Sequence, residues 1–257
     1  VPEPLSRLAR VWKDGGTALG IFVFTRIDPV VIEAVAHADL DFLCVDLQHG
    51  MLEYRDMVAV FTALAQGDTT PIVRVSSNDA AAIGKVLDAG AIGVIVPMVN
   101  SAADAKAAVA ACRYASSGGT RSYGPIRSRV IYGNDYSEMV DDRVLCIPQI
   151  ETAEAVANAD EIMAVPGVAA VYVGPTDLSI TLGMPPNLDN PGTFNDALAD
   201  VVAAAKRHNV VPGVHASTAL AAARKDAGFR MITIANDLAM IVGAFNAEIS
   251  AARKATG

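Results

Sequence analysis

The sequence predicts an α/β fold, a (β/α)8 barrel of the TIM type, and three observations carry that expectation. Short apolar, β-branched runs recur about eight times, mostly 20–30 residues apart, and each is followed by a stretch with helix signals. The runs are continuously apolar, so both faces of each strand should be buried, as in a parallel sheet covered by helices. The length of 257 residues is that of one such barrel, and no linker or composition shift divides it, so residues 1–257 read as a single domain. An open doubly wound sheet is the runner-up. Its dinucleotide-binding form is weakened by the absence of a Gly-x-Gly-x-x-Gly after the first run.

The expected strands, in order, are Ala18–Phe24, Phe42–Leu47, Pro71–Val75, Gly93–Met98, Val144–Ile150, Ala170–Gly174, Val210–His215 and Met231–Ala235. Between them, Asp28-Pro29 supplies an N-cap followed by Pro at the first helical position. Asn78 or Asp79 caps a helix to Leu87, with Gly90 as its stop. Ser101 caps an Ala-rich helix through Arg113, and Ser217 caps another that ends at Gly228. Asp237 opens a last helix, Leu238–Ile249, so apolar that it should be buried, against another subunit in the simplest arrangement. Two connections are long, Ala115–Arg143 and Pro175–Thr193. Both are expected on the C-terminal face of the barrel, where long loops carry function.

Composition removes several classes of function. Hydrophobic residues are 52% and charged residues 19%, the opposite of a disordered chain, and aromatics are only 5%. The net charge of −8 offers no basic stripe for nucleic acid and weakly disfavours an anionic membrane surface. No apolar run reaches the roughly 20 residues that span a bilayer, and Val1-Pro2-Glu3-Pro4 does not read as a signal peptide. Cys44, Cys112 and Cys146 are odd in number and widely spaced, so they read as small buried hydrophobes, not as a disulfide framework or a metal clip. A reducing cytoplasm is the expected location.

In a barrel the chemistry sits where strands end. The second run ends in Asp46-Leu47-Gln48-His49-Gly50, the third carries Arg74, the fifth ends in Gln149-Ile150-Glu151-Thr152, and the sixth in Gly174-Pro175-Thr176-Asp177-Leu178-Ser179. Glu151 and Asp177 on adjacent strands are two hard oxygen ligands with room for water, suited to Mg²⁺ or Mn²⁺ shared with a substrate. The competing reading makes both acids helix caps or solvated loop residues. Arg74, inside an apolar run, needs an anion. That anion is either a substrate carboxylate or enolate oxygen, or a structural partner such as Asp46 or Asp88. His49, beside Gly50, is a candidate general base with Asp88 as its orienting partner. His37 and His208 read as surface groups, and His215 ends the seventh run.

These segments together resemble the HpcH/HpaI aldolase family of metal-dependent pyruvate aldolases, which includes the 4-hydroxy-2-oxoheptanedioate and 2-dehydro-3-deoxyglucarate aldolases. The likeness rests on Val45–Gly50, Val73-Arg74-Val75, Val86–Ala91, Val96–Val99, Pro148–Thr152 and Val173–Ser179, and runs from about residue 18 to 250. The resemblance implies a barrel whose last helix is exchanged between subunits of a trimer or hexamer. It implies Glu151 and Asp177 as ligands of Mg²⁺ or Mn²⁺, with Co²⁺ a further option, and no organic cofactor. Arg74 would bind the pyruvate or enolate oxygen, and His49 with Asp88 would move the proton. Gln149, Gly174, Pro175 and Thr176 would border the substrate. One departure is Gln48, where many members have Glu; it lowers the negative charge beside the site.

The expected activity is a reversible aldol cleavage and addition between pyruvate, or a close 2-oxo acid, and an aldehyde, acting on 4-hydroxy-2-oxo acids. A Schiff-base aldolase needs a lysine at a strand end, and Lys85, Lys106, Lys206 and Lys225 all fall in expected helices. Rival functions on the same barrel are an acyl-CoA lyase of the citramalyl- or malyl-CoA type and a non-catalytic 2-oxo-acid-binding protein. The partners are small molecules, with no nucleic acid or membrane. Arg121, Arg127 and Arg129 could meet the acceptor, or could be surface or intersubunit charge.

Overall fold

A computed structural model describes residues 6–256; the Val1–Pro4 segment lies outside them. Eight parallel strands close into a barrel in sequence order: β1 (Ala18–Val23), β2 (Phe42–Asp46), β3 (Thr70–Arg74), β4 (Gly93–Val96), β5 (Leu145–Ile150), β6 (Ala170–Val173), β7 (Val211–His215) and β8 (Met231–Asn236). Each lies within two residues of the span expected from the apolar runs. β8 pairs back onto β1, with a register shift at Gly20/Ile21.

The strands read as continuously apolar because both faces are covered. Phe22, Phe42, Cys44, Ile72, Ile95, Ile147, Tyr172 and Met231 fill the barrel interior. Their sequence neighbours Val23, Leu43, Val45, Val73, Val94, Cys146, Val171 and Ile232 pack outward under the helices. Gly20 makes room for this filling, since a Cβ there would lie 2.4 Å from the Phe42 ring. All three cysteines are buried and free, as small hydrophobes.

The helices start where local chemistry directs. Asp28 accepts from the Val30 amide with Pro29 at the first position. Of the two candidates near residue 78 the cap is Asp79, which accepts from Ala82, and Ser101 accepts from Asp104. Gly90 leaves its helix at φ +105° and Gly228 does so at +106°, conformations that carry no steric cost only for glycine. Ser217 is not a cap. The helix Ala221–Asp226 begins later, behind Leu220, because the chain first makes a turn in which the Leu220 amide donates to the Ser217 carbonyl.

Segment 115–143 corrects a second expectation. It follows the helix Ala102–Cys112, not β4 itself, and so lies at the N-terminal end of the barrel, where it forms the helices Ile126–Tyr132 and Tyr136–Arg143. The 175–193 segment does follow a strand directly and opens with the helix Pro175–Thr181 at the C-terminal end.

The last helix, Asp237–Thr256, is longer than expected and lies open in the single chain. Only Asp237 is buried, while Leu238, Met240, Ile241, Val242, Phe245 and Ile249 are exposed. Asp237 anchors it by accepting from the amides of Phe24 and Thr25, at 2.9 and 2.8 Å, and from the Thr25 hydroxyl. Among the described residues no helix is long and apolar enough to cross a membrane.

Candidate active site

Side-chain parity places the site. Successive residues of a strand point to opposite faces, so the series Cys44–Asp46, Ile72–Arg74, Ile147–Gln149–Glu151, Tyr172–Gly174 and Gly213–His215 continues the inward face to the C-terminal mouth. Asp46 and Arg74 are direct partners in the β2–β3 register. They form a two-pronged ion pair, Nε to Oδ1 at 2.9 Å and Nη2 to Oδ2 at 2.5 Å. Burial works against the charge on Arg74, but the Asp46 pair outweighs it and holds the guanidinium pKa above its ordinary value. The guanidinium lies over the Phe22 ring, 5.3 Å from its centroid.

Asp46 also receives the Gln48 amide at 3.0 Å. One buried carboxylate therefore orients both Arg74 and the turn that carries His49. Gly50 closes this turn; a Cβ there would sit 2.2 Å from the Asp46 carbonyl. His49 itself is exposed at the mouth. Asp46 is a positioning residue that the sequence suggested only as a possible partner of Arg74. The signal was its parity with Cys44, two residues before it on the inward face.

Glu151 is 2% exposed. One of its oxygens accepts from the Met98 amide at 2.7 Å and the other from the Gln149 amide group. Met98 reaches it from a left-handed conformation, φ 55°. Burial, and then the nearby charge of Asp177, push the Glu151 pKa up. Gly174 is packed against this pair, and a Cβ there would meet Gln149 Nε2 at 2.8 Å and Glu151 Oε2 at 2.9 Å. Neither acid is a helix cap. Thr152 caps the helix after β5, accepting from Ala155, and Asp177 lies in the first turn of Pro175–Thr181, behind Gly174. Asp177 and Thr176 are exposed, while Pro175 is buried.

His215 and Tyr172 form the floor. The Tyr172 hydroxyl lies 3.2 Å from His215 Nδ1 and 2.6 Å from the Thr233 hydroxyl. Burial, reinforced by the positive charge of Arg74, lowers the His215 pKa to about 4. His37 and His208 lie at helix ends away from the mouth, and His208 meets Asp160.

The chain does not bring Asp88 to His49. Asp88 is the last residue of the helix Ala80–Asp88, which runs back from the mouth to the N-terminal end. There it pairs with Arg121 at 2.7 Å. Arg127 and Arg129 lie on the helix Ile126–Tyr132 at that same end, far from an acceptor bound at the mouth.

Among the described residues no group of three or more His, Cys, Asp or Glu could hold a metal. The pair Glu151 and Asp177 nevertheless fits a divalent cation completed by substrate or water. The donors are hard oxygens, and their mutual repulsion is what a cation between them would relieve. The adjoining Gln149 Oε1 is buried without a protein partner. Every lysine, at positions 13, 85, 106, 206, 225 and 254, lies in a helix, so no strand end offers an amine.

A family model described as HpcH/HpaI aldolase/citrate lyase matches residues 19–244. The chain is 36% identical to the hydroxypyruvate/pyruvate aldolase of Rhizorhabdus wittichii, over 97% of this chain and 99% of that protein. It is also 36% identical to a 2-dehydro-3,6-dideoxy-6-sulfogluconate aldolase of Pseudomonas putida, over 83% and 84% of the two chains. Among solved structures, an HpcH/HpaI aldolase/citrate lyase family protein from Burkholderia cenocepacia superposes with a TM-score of 0.86 at 31% identity, over 92% of this chain and 95% of that one.

Proposed function

The chain belongs to the HpcH/HpaI aldolase/citrate lyase family and is a carbon–carbon lyase, and from that premise we propose a divalent-metal-dependent aldolase that joins pyruvate, or a close 2-oxo acid, to an aldehyde and cleaves the resulting 4-hydroxy-2-oxo acid. The observation that carries this reading is the gathering of Arg74, Glu151 and Asp177 at one mouth of the barrel. Glu151 and Asp177 would hold Mg²⁺ or Mn²⁺, which when bound supplies a Lewis acid for the 2-oxo acid.

The remaining work falls to the chain. Arg74, locked by Asp46 through Nε and Nη2, has Nη1 left to face an oxygen on which negative charge develops, and being held beforehand it needs no reorganisation. The first amides of Pro175–Thr181, at Thr176 and Asp177, have no acceptor within their own helix and would face the pyruvate carboxylate. His49, on its exposed turn, would take a C3 proton directly or through water and return it to the alkoxide formed on addition. Gln149 fixes one oxygen of Glu151. The exposed apolar face of Asp237–Thr256 would be covered by a second copy of the chain in a cytoplasmic trimer or hexamer.

The test is exchange of the pyruvate methyl protons with D₂O, followed by NMR. Exchange should require Mg²⁺ or Mn²⁺, stop with EDTA, and leave no covalent adduct with borohydride. Exchange insensitive to EDTA together with borohydride trapping would sink the metal reading. Exchange of acetyl-CoA in place of pyruvate would move the assignment to an acyl-CoA lyase.

A further inference from the structure

The N-terminal end of the barrel holds a cavity of about 580 Å³ that the aldolase reading does not use. Its walls are the N-terminal helix Arg7–Lys13, the end of Tyr54–Leu64, the start of β3 and the helix Ile126–Tyr132. Four arginines line it, at 7, 10, 127 and 143, and one acid, Asp68. Arg7 is paired with Asp39 and Asp41, and Arg10 with Asp68.

The other two differ. Arg127 donates only to the backbone carbonyls of Ala89 and Phe61, at 2.7 and 2.9 Å. Arg143 is 7% exposed. Its Nη2 reaches only the Met139 sulfur at 3.6 Å, and its Nε is buried with no partner. The Tyr132 ring, 5.7 Å from its Cζ, is its other support. Among the described residues no carboxylate pairs with either guanidinium. A buried guanidinium without an anion is costly, and its planar fork is shaped for oxyanions. Burial indeed holds the Arg127 pKa below its ordinary value.

We propose that this cavity is a binding site for a small dianion, a phosphate group or a short dicarboxylate, clasped between Arg127 and Arg143. The ligand would supply the carboxylate-like partner that no described residue provides. It would also tie Ile126–Tyr132 to the end of Tyr136–Arg143, and the remaining volume has room for an organic body behind the charged head. The site lies at the opposite end of the barrel from Arg74 and Glu151, so it is separate from the catalytic mouth.

Calorimetric titration of the full-length protein with inorganic phosphate and with succinate, against chloride at matched ionic strength, tests this. One saturable site per chain is expected for at least one of the two, and which of them binds decides between a phosphate head and a carboxylate pair. Arg127→Gln and Arg143→Lys should each weaken it about tenfold or more, the worth of one charge-assisted hydrogen bond. Ile131→Glu keeps both arginines and places a carboxylate in the cavity wall; it should abolish uptake while leaving the thermal midpoint no lower than that of the parent. His49→Ala, an exposed change at the opposite mouth, should bind as the parent does. Absence of saturable uptake, unchanged affinity in the three cavity variants, or loss in a folded His49→Ala would each overturn the proposal.

Discussion

The two mouths of the barrel are built on the same eight strands and carry opposite unbalanced charge. At the C-terminal mouth Arg74 is neutralised by Asp46, which leaves Glu151 and Asp177 as the excess. At the N-terminal mouth Arg7 and Arg10 have acid partners, which leaves Arg127 and Arg143 as the excess. The difference teaches that pairing, more than the count of charged residues, decides what an end of the barrel can receive. That difference is what the two proposals rest on, a cation with a 2-oxo acid at one end and an anion at the other.

The sharpest way to break this comparison is to remove a group at the C-terminal mouth and ask whether chemistry alone suffers. His49→Ala should lower kcat about 10²–10⁴-fold with the thermal midpoint unchanged, because the exposed imidazole packs against little. Arg74→Ala should lower kcat about 10²–10³-fold. It should also cost about 3–5 kcal/mol of stability in denaturant titrations, because Asp46 would be left charged and fully buried. A His49→Ala enzyme with parental kcat would remove that residue from the chemistry.

A smaller effect concerns acid. His215 titrates near 6.5 in an unfolded chain and near 4 in the fold, so the unfolded state takes up its proton first. Stability should therefore fall as pH drops from about 6.5 toward 4, by up to about 3 kcal/mol in all. Urea titrations across that range should show the slope in the parent and a reduced slope in His215→Gln. Equal slopes would mean that the Tyr172–His215 floor does not hold the ring neutral.

The smallest effect belongs to the opposite end. The buried Ser128 donates to the Leu87 carbonyl at 2.6 Å, so Ser128→Ala should cost about 1 kcal/mol and lower the melting temperature by about 2–4 °C. Its kcat/KM should match the parent. A change in kcat/KM greater than the stability loss explains would show that the two ends are coupled.

Much of this was legible in the chain. The apolar runs located all eight strands, since a strand buried on both faces needs apolar residues at consecutive positions. Asp28, Asp79 and Ser101 announced their helices because a cap is a local hydrogen bond. Glu151 and Arg74 stood out as polar residues inside or just beyond such runs. The direction of segment 115–143 was legible but misjudged, because the helix read from Ser101 through Arg113 stands between the fourth strand and it and returns the chain to the N-terminal end. Within the single chain Asp88 lies away from His49, at the end of the helix the sequence already read to Leu87. Nine helical residues carry it from the mouth to the far end, where Arg121 neutralises it.

The sequence by itself determined the number of βα units, their order and the residue types available at each strand end, because these depend on short-range pattern and burial. Only the tertiary structure decided which charges neutralise one another. Asp46 meets Arg74 because barrel closure sets β2 and β3 in a register that places them side by side. Among the described residues Arg127 and Arg143 have no acid partner, and the nearby Asp141 faces Arg113 instead. Such pairings depend on distances across the fold, and at a few ångströms' separation inside a protein those distances decide whether a charge is satisfied or waits for a ligand.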